Sequence, residues 1–386
     1  MAYFWHLTLF LTVLLNTPHV SVSVGCCYTR IFSFGDSLTD TGNYLRIFGN
    51  VSRNTAARLP YGESYFHHPT GRWSDGRLLL DFIADDIGLP FVPPYLGGNS
   101  TGYFRHGANF AVGGATALNH SIFHEMGVPV ETRAGFLAIQ VQWFKELLTV
   151  LCLESDCREV MDNAFFFVGE MGINDYNTFN AAAVPFAVIK DYVPGVINAI
   201  ASAVRDLIEL GAKTIAVAGV IPLGCTPSYL TILQTEKVEE YNLTTGCLNW
   251  LNEFSQYHDQ LLFDELDRIG DTYPDVTIIY ADYYGPYMNM IQSPRQHGLK
   301  ETIVSCCGGG GPYNFALSPS CGSEGSSLCK EPSQYVSWDG LHLTDAAHKI
   351  IAQLRFSETI VASRARTRVG EEIKTILASD SRGVEP

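Results

Sequence analysis

Two stretches at opposite ends of the chain carry residue types that together could perform nucleophilic chemistry. Near the start, an apolar run at residues 31–34 is followed by Gly35, Asp36 and Ser37. The run predicts a strand, and we expect a helix to begin at Asp36 and Ser37. This place would expose the serine hydroxyl at the carboxyl end of a strand and leave its backbone N–H free to stabilise an oxyanion. The stretch therefore predicts a serine nucleophile.

The second stretch pairs an acid with a base. Asp339 and His342 are three residues apart on an expected turn, so the carboxylate can hydrogen-bond the imidazole. A histidine held in this way keeps one ring nitrogen free to accept a serine proton. Taken alone, each stretch also fits a simpler interpretation, in which Asp36 and Ser37 cap a helix and Asp339 shapes a turn. The motifs between the two stretches decide between these interpretations.

Strand patterns alternate with helical patterns through the middle of the chain. Strands are predicted at residues 109–112, 164–168, 214–218 and 276–280, and amphipathic helices at 78–87, 137–151, 196–210 and 248–269. The alternation indicates an α/β protein whose parallel sheet is covered on both faces. Sites in such sheets form at the carboxyl ends of the strands. Ser37, Gly113 and the loop at residues 169–175 all fall at such ends.

Four short motifs follow one another along the chain: FGDSLTDTGN at 34–43, GANFAVGGA at 107–115, GIND at 172–175 and SWDGLH at 337–342. Together they resemble the motifs of the GDSL family of serine esterases and lipases, also called SGNH hydrolases. The resemblance extends from residue 31 to residue 351, which is nearly the whole chain after its apolar leader. Four motifs in this order are a specific signal, although each is short.

The resemblance implies a three-layer α/β/α domain of the flavodoxin-like SGNH hydrolase type. It implies that Ser37 attacks an ester carbonyl, that His342 accepts the serine proton, and that Asp339 orients the imidazole. It also implies that no metal or other cofactor takes part. The histidines His120 and His124 have metal-like spacing but lack the glutamate of a zinc-binding H-E-x-x-H motif, so we expect no zinc there.

The oxyanion of the reaction would be bound by three donors, again by resemblance. These are the backbone N–H of Ser37, a glycine N–H of the second motif, and the side-chain amide of Asn174. Gly113 is the preferred glycine and Gly114 the alternative, because the register is open by one residue. Glycine suits the position because a side chain would obstruct the acyl group. The carboxylates Asp36 and Asp175 are expected to be turn or scaffold residues.

Features outside the motifs predict a secreted glycoprotein. Residues 4–15 form an apolar run too short to span a bilayer, so residues 1–25 are predicted to be a signal peptide, although no Lys or Arg precedes the run.

All ten cysteines follow this run, and disulfides are the preferred interpretation. Cys152 and Cys157 could close a small loop. Cys306, Cys307, Cys321 and Cys329 could staple a glycine-rich segment, with the connectivity open. Glycosylation acceptors are predicted at Asn50, Asn99, Asn119 and Asn242.

Composition and charge limit the partners. The net charge of −15 argues against nucleic acid or an anionic membrane as a partner, and no segment after the leader is predicted to span a membrane.

We expect one hydrolase domain at residues 26–358, followed by a polar tail at 359–386 without an assigned role. The expected protein is a monomer that acts on a small-molecule ester, in the apoplast or, as the alternative, in the vacuole.

The predicted function is therefore that of a secreted plant serine esterase acting on a small or medium acyl ester. Residues 104–118 resemble the acetylajmalan esterase-like branch, which acts on esters of specialised metabolites. Two alternatives stay open. One is an acyltransferase that passes the same acyl group to an alcohol, and the other is a catalytically silent binding glycoprotein.

Overall fold

A computed structural model describes residues 28–49 and 54–356. The predicted signal peptide, the predicted glycosylation site at Asn50 and the predicted tail at 359–386 lie outside the described residues. The proposed division into leader, hydrolase domain and tail thus stays a prediction.

Five parallel strands form the main sheet in the order β2-β1-β3-β4-β5. They are β1 (Arg30–Phe34), β2 (Gly107–Asn109), β3 (Ala164–Val168), β4 (Thr214–Ala218) and β5 (Thr277–Ala281). β1, β3 and β4 are buried along nearly their whole length, which is why their sequences are continuous apolar runs rather than alternating patterns. This strand order is that of flavodoxin-like sheets. A short antiparallel ribbon pairs β6 (Cys307–Gly308) with β7 (Ser327–Leu328).

Helices cover both faces of the sheet. They are α1 (Asn43–Phe48), α2 (Leu79–Asp86), α3 (His120–Glu125), α4 (Leu137–Glu154), α5 (Cys157–Asp162), α6 (Ile173–Ala181), α7 (Phe186–Ile189), α8 (Val193–Glu209), α9 (Pro227–Ile232), α10 (Asn249–Thr272), α11 (Tyr284–Gln292) and α12 (Asp345–Ile351). α8 packs against α4 and α10, while α12 packs against α2 and α11. These groups make the outer layers of a three-layer α/β/α domain. The predicted fold class is confirmed.

One predicted element boundary is wrong. Residues 36–39 form a tight turn rather than the start of a helix, and α1 begins six residues later at Asn43. The Asp36 carbonyl accepts hydrogen bonds from the N–H groups of Thr39 (3.1 Å) and Asp40 (2.8 Å), which closes the turn. The Asp40 carboxylate then accepts the N–H groups of Gly42 and Asn43, so that this aspartate, not Asp36, caps α1.

Within the described residues, one helical segment passes a length and composition test for a membrane span. This segment, Phe186–Glu209, contains α7 and α8. Its apolar side chains Val196, Ile200 and Leu207 are buried in the core of the domain, where α8 contacts α4 and α10. Core helices of globular domains pass the same test, and the burial accounts for the apolar composition.

Four disulfides hold the loops. They join Cys152 to Cys157, Cys225 to Cys247, Cys306 to Cys329, and Cys307 to Cys321. The small loop and the stapling of the glycine-rich segment are confirmed, whereas the Cys225–Cys247 bond was not predicted. The last two of these disulfides, Cys306–Cys329 and Cys307–Cys321, help to build a second, smaller core. This core, here called the disulfide core, is made of Ala56, Tyr61, Cys306, Cys307, Cys321 and Trp338. This core lies directly beside the predicted acid–base pair.

Candidate active site

The turn that carries Ser37 is fixed from the neighbouring helix α4. Gln140 of α4 is fully buried, and its side-chain amide makes two hydrogen bonds to Gly35, accepting from the backbone N–H (2.9 Å) and donating to the carbonyl (2.8 Å). Gly35 has φ of +146°, a conformation that favours glycine. The chain therefore leaves β1 in a defined direction. Ser37 follows at the carboxyl end of the strand, as the sequence predicts.

Ser37, His342 and Asp339 form a continuous hydrogen-bonded series. The Ser37 Oγ lies 2.9 Å from Nε2 of His342, and Nδ1 of His342 lies 2.7 Å from Oδ2 of Asp339. In the chain, Ser37 lies 302 residues before Asp339 and 305 residues before His342. All three are largely withdrawn from solvent, with Ser37 6% and His342 7% exposed. The structure thus brings together the three residues predicted to be catalytic.

Asp339 is held as a carboxylate. Its Oδ1 accepts the backbone N–H groups of Leu341 (3.1 Å) and His342 (2.9 Å), and its Oδ2 accepts the hydroxyl of Tyr61 (2.7 Å). Burial alone would raise the pKa of Asp339, but the charge of His342 and these hydrogen bonds lower the pKa to about 2. The carboxylate stays ionised, and it can orient the imidazole and stabilise its protonated form.

Two tryptophans hold the histidine. The indole of Trp73 packs over the His342 ring, with centroids 5.0 Å apart and planes inclined by 33°. The backbone N–H of Trp338 donates to the His342 carbonyl at 2.7 Å, and the Trp338 ring meets the Tyr61 ring edge-on in the disulfide core. The packing therefore fixes the orientation of the base.

The two candidate glycines of the second motif differ in what their N–H groups do. The Gly113 N–H donates to Oδ2 of Asp40 at 2.9 Å. A Cβ at Gly113 would lie 2.7 Å from Nε1 of Trp73, so this glycine makes room for the tryptophan rather than for an acyl group. Gly114 is exposed, and its N–H makes no hydrogen bond to another group in the described part of the chain. The Ser37 N–H likewise makes no hydrogen bond to any group within residues 28–49 and 54–356.

Asn174, the third predicted donor, lies in the first turn of α6. Its Nδ2 donates to Oδ2 of Asp36 at 2.6 Å and to the Ala115 carbonyl at 3.1 Å. The same Asp36 side chain accepts the Leu38 N–H through Oδ1 at 2.9 Å and so shapes the nucleophile turn. The carboxylate of Asp175 instead accepts two backbone N–H groups, those of residues 117 and 118, and ties α6 to the second motif.

A cavity of about 470 Å³ opens at the triad. One wall comes from the disulfide-stapled segment and includes Phe315, Ala316 and Leu317; the opposite wall comes from α6 and α9. The Phe315 ring packs on the backbone between Asp339 and His342, where a Cβ at Gly340 would lie 2.3 Å from Cδ2 of the ring. The stapled segment thus builds both the support of the triad and one wall of the cleft.

Sequence reasoning misses four residues that the structure places at the site. Three of them contact the triad or the turn that carries Ser37, namely Tyr61, Trp73 and Gln140. No local sequence pattern distinguishes these three. Glu170 could have been found, because it is an acidic residue one position after the glycine that ends an entirely apolar strand. It is fully buried.

The remaining predicted sites lie on the surface or in the core. Asn99, Asn119 and Asn242 are exposed, as glycosylation requires. His120 is buried, with its Nε2 3.0 Å from the Gly135 carbonyl. Within the described residues, no group of three or more His, Cys, Asp or Glu side chains could hold a metal ion.

Comparison with known proteins decides the family. Residues 31–354 match the description GDSL-like Lipase/Acylhydrolase. The chain belongs to the GDSL esterase/lipase family. It is 47% identical over 350 residues to a GDSL esterase/lipase of Arabidopsis thaliana, covering 90% of this chain and 89% of that one. It is 45% identical over 351 residues to sinapine esterase of Brassica napus, covering 90% of each chain. The chain is thus a carboxylic ester hydrolase of the plant GDSL type. The narrower likeness to the acetylajmalan esterase-like branch stays a prediction.

Proposed function

We propose that this GDSL esterase hydrolyses neutral esters of a small or medium acyl group through an acyl-enzyme on Ser37. The observation that carries the proposal is the series of hydrogen bonds from Ser37 to His342 (2.9 Å) and from His342 to Asp339 (2.7 Å), which opens into the cleft. This geometry is that of an activated serine nucleophile with an oriented base.

The proposed reaction has two halves. In the first, Nε2 of His342 takes the Ser37 proton while Oγ attacks the ester carbonyl. The tetrahedral intermediate then expels the alcohol, which receives the proton from His342, and the acyl group stays on Ser37. In the second half, water loses a proton to His342 and attacks the acyl carbon, and collapse releases the acid and returns the proton to Ser37. Asp339 stays ionised throughout.

The oxyanion donors are proposed to be the Ser37 N–H, the Gly114 N–H and the Asn174 amide. The bond from the Gly113 N–H to Asp40 supports Gly114, the alternative register, over Gly113. The Asn174 amide contributes after releasing the longer of its two hydrogen bonds, the one to the Ala115 carbonyl. Loss of one such donor typically costs about 3–4 kcal/mol of transition-state stabilisation.

The lining of the cleft supports a neutral substrate. Apart from Asp339 and His342, the described lining residues carry no charge at neutral pH. The lining combines apolar side chains such as Phe315, Leu317 and Ile232 with the neutral polar side chains of Asn177, Asn180 and Ser228. A volume of about 470 Å³ is at the lower end of the usual range for small-molecule sites. We therefore favour an ester with one apolar part and a few neutral polar groups.

The setting is proposed to be extracellular. Four disulfides and three exposed glycosylation acceptors support passage through the secretory pathway, with the apoplast as destination and the vacuole as the alternative. We also propose a monomer without stable membrane insertion. Both points can be tested after expression in plant cells. Glycosidase digestion of apoplastic fluid tests secretion of the glycosylated protein, and size-exclusion chromatography tests whether it is a monomer.

The decisive experiment compares the wild type with Ser37→Ala. A fluorophosphonate should label Ser37 in the wild type, and Ser37→Ala should fold normally but lose both labelling and hydrolysis. Normal activity of Ser37→Ala, or labelling of another serine, contradicts the proposal. Mass spectrometry of products from a panel of esters, with and without added alcohols, then separates hydrolysis from acyl transfer.

A further inference from the structure

Two buried carboxyl groups meet beneath the nucleophile. Asp36 follows β1 and Glu170 follows β3, and these neighbouring parallel strands are in register at Phe34 and Val168. Their side chains therefore leave the sheet at the same edge. Asp36 is 2% exposed and Glu170 is fully buried, and the two carboxyl groups interact electrostatically. Among the described residues, Oε2 of Glu170 is buried and receives no N–H or O–H donor. The pair therefore favours holding a proton, because a buried carboxylate oxygen without a donor is unfavourable and two bare neighbouring carboxylates repel each other.

This carboxyl pair contacts both halves of the oxyanion site. Asp36 bonds the Leu38 N–H at 2.9 Å in the nucleophile turn and the Asn174 amide at 2.6 Å. Glu170 accepts the Ile173 N–H at 3.0 Å through Oε1, one residue before Asn174 in the chain. The pair is thus bonded to the turn that carries Ser37 and to the first turn of α6.

The charge of Asp36 determines which way the Asn174 amide faces. A carboxylate accepts hydrogen bonds but cannot donate them, so it selects the NH₂ end of the amide and excludes the oxygen. One amide hydrogen is held by Asp36 at 2.6 Å. The other points to the Ala115 carbonyl at the longer distance of 3.1 Å, and this hydrogen is available to an oxyanion.

The surroundings favour one shared proton. Burial is the main cause that raises the pKa of Glu170 well above its usual range, and the neighbouring Asp36 carboxylate adds to it. Burial likewise raises the pKa of Asp36 to about 6. The titratable groups that interact electrostatically with Glu170 are Asp36, Asp175, Tyr176, Tyr229 and Tyr283. Those that interact with Asp36 also include Asp40 and His342. All except His342 are acids, so a second negative charge is opposed.

We propose that Glu170 is a positioning residue, which holds one proton against Asp36 so that the pair carries a single negative charge and presents the Asn174 amide to the oxyanion. The inference rests on the proposed function of Ser37 and names a residue that acts through Asn174. When Glu170 loses its proton to solvent in alkaline solution, a second negative charge lies next to the forming oxyanion. Hydrolysis should therefore slow on the alkaline side.

The test is the pH profile of the wild type and of Glu170→Gln. Glutamine keeps an N–H donor for Asp36 but has no proton to lose. We expect wild-type kcat for p-nitrophenyl butyrate, read at the isosbestic wavelength, to fall roughly tenfold between about pH 7 and pH 10, whereas Glu170→Gln keeps a flat profile over this range. KM should change less than kcat, because the effect lies on the transition state.

Matched variants separate this role from a structural one. Asp175→Asn removes another buried carboxyl, in the first turn of α6, and should keep the alkaline fall. If Glu170→Gln does not fold, Asp36→Asn replaces it, since a pair with one amide cannot carry two charges and should also lose the alkaline fall. A fall that persists in the folded Glu170→Gln variant, disappears in Asp175→Asn, or is missing from the wild type overturns the inference. If Ser37→Ala is inactive in these cases, the proposed function still stands; an active Ser37→Ala overturns that function instead.

Discussion

The hydroxyl of Tyr61 donates a 2.7 Å hydrogen bond to Oδ2 of Asp339, the same oxygen that lies 2.7 Å from Nδ1 of His342. Tyr61 is 1% exposed, and its own oxygen lies 3.2 Å from Oγ1 of Thr55. The triad therefore continues into the disulfide core through a fourth side chain. Because Tyr61 and His342 share one carboxylate oxygen, Tyr61 both holds the carboxylate in place and withdraws part of its charge from the imidazole.

Tyr61→Phe should weaken catalysis without abolishing it. The variant keeps the ring that packs on Trp338 and removes one hydrogen bond to a charged group, a contribution of about 1.5–3 kcal/mol. We expect the pKa of Asp339 to rise from about 2, and kcat/KM for a neutral ester to fall roughly tenfold or more. Tyr287→Phe, at a buried tyrosine outside the cleft, is the control and should keep wild-type kcat/KM. Equal rates for both variants would show that Tyr61 only fills space.

Asp339→Asn should cost far more than Tyr61→Phe. An amide at this position cannot stabilise the protonated imidazole and can favour the wrong tautomer of His342. We expect kcat to fall by about 10³–10⁴-fold with the fold intact, as measured by steady-state kinetics and circular dichroism. His342 must be neutral to accept the Ser37 proton, so wild-type kcat/KM should also decline toward acid pH. A flat acid side together with a normal rate for Asp339→Asn would mean that His342 is not the base.

The parts of the site that sequence predicts are those defined by local chemistry. The runs at 164–168 and 214–218 are strands at the predicted bounds, because short continuous apolar runs that end at glycine are typical of strands in a sheet covered on both faces. The triad is predictable because each member needs a particular functional group. By contrast, the position of Gly113 is set by contact with Trp73, forty residues away, and by its bond to Asp40. Such tertiary contacts leave no periodic pattern in the sequence.

The turn at Ser37 shows the same limit in a different way. Asp36 and Ser37 are common helix-capping residues, so the prediction of a helix start follows local preference. Asp40 overrides it, since its carboxylate collects the N–H groups of Gly42, Asn43 and Tyr44 and moves the helix start to Asn43. Two aspartates four residues apart look alike in the sequence. Their hydrogen-bond partners distinguish them only after the chain has folded.

Breaking the Cys307–Cys321 disulfide should affect both stability and substrate binding. The bond lies in the disulfide core and Cys321 lines the cleft. The double variant Cys307→Ser/Cys321→Ser should lose about 2–5 kcal/mol of unfolding free energy and raise KM for esters with an apolar acyl group. The matched control is Cys152→Ser/Cys157→Ser, which opens a loop between α4 and α5 and should leave KM unchanged. Urea unfolding measures the stability of the two double variants, and steady-state kinetics measures their KM. An equal rise of KM in both would contradict the assignment of the disulfide-stapled segment to one wall of the cleft.

The stability of the protein should decrease as the pH rises from mildly acidic to mildly alkaline. Burial, the main cause in each case, raises the pKa of Asp40 to about 6, of Asp175 to about 7 and of Asp259 to about 8, from an ordinary value of 3.8. Between the ordinary and the raised value, the folded state binds more protons than the unfolded state, so the unfolding free energy falls as pH rises through this window. Asp339 has the opposite sign, because its pKa of about 2 gives stability that is lost only as pH falls below 3.8 toward 2. Two buried histidines also have the opposite sign. Burial lowers the pKa of His258 to about 3 and that of His348 to about 4 from an ordinary value of 6.5, so their contribution to stability rises up to about pH 6.5 and offsets part of the fall. We therefore expect a higher Tm at about pH 5 than at about pH 8, by several degrees.

Asp259→Asn is the sharpest test of this sign. The carboxylate of Asp259 accepts the Val220 N–H at 2.8 Å, and asparagine can keep this bond without a charge to bury. The variant should reduce the difference in Tm between about pH 5 and about pH 8, since one of the ionising groups is gone. Asp267→Asn, at an exposed position on the same helix α10, should leave the difference as it is in the wild type. Differential scanning calorimetry in buffers of low ionisation enthalpy gives the six Tm values needed, for three proteins at two pH values. A difference in Tm between about pH 5 and about pH 8 that is the same in Asp259→Asn as in the wild type would contradict the raised pKa of Asp259.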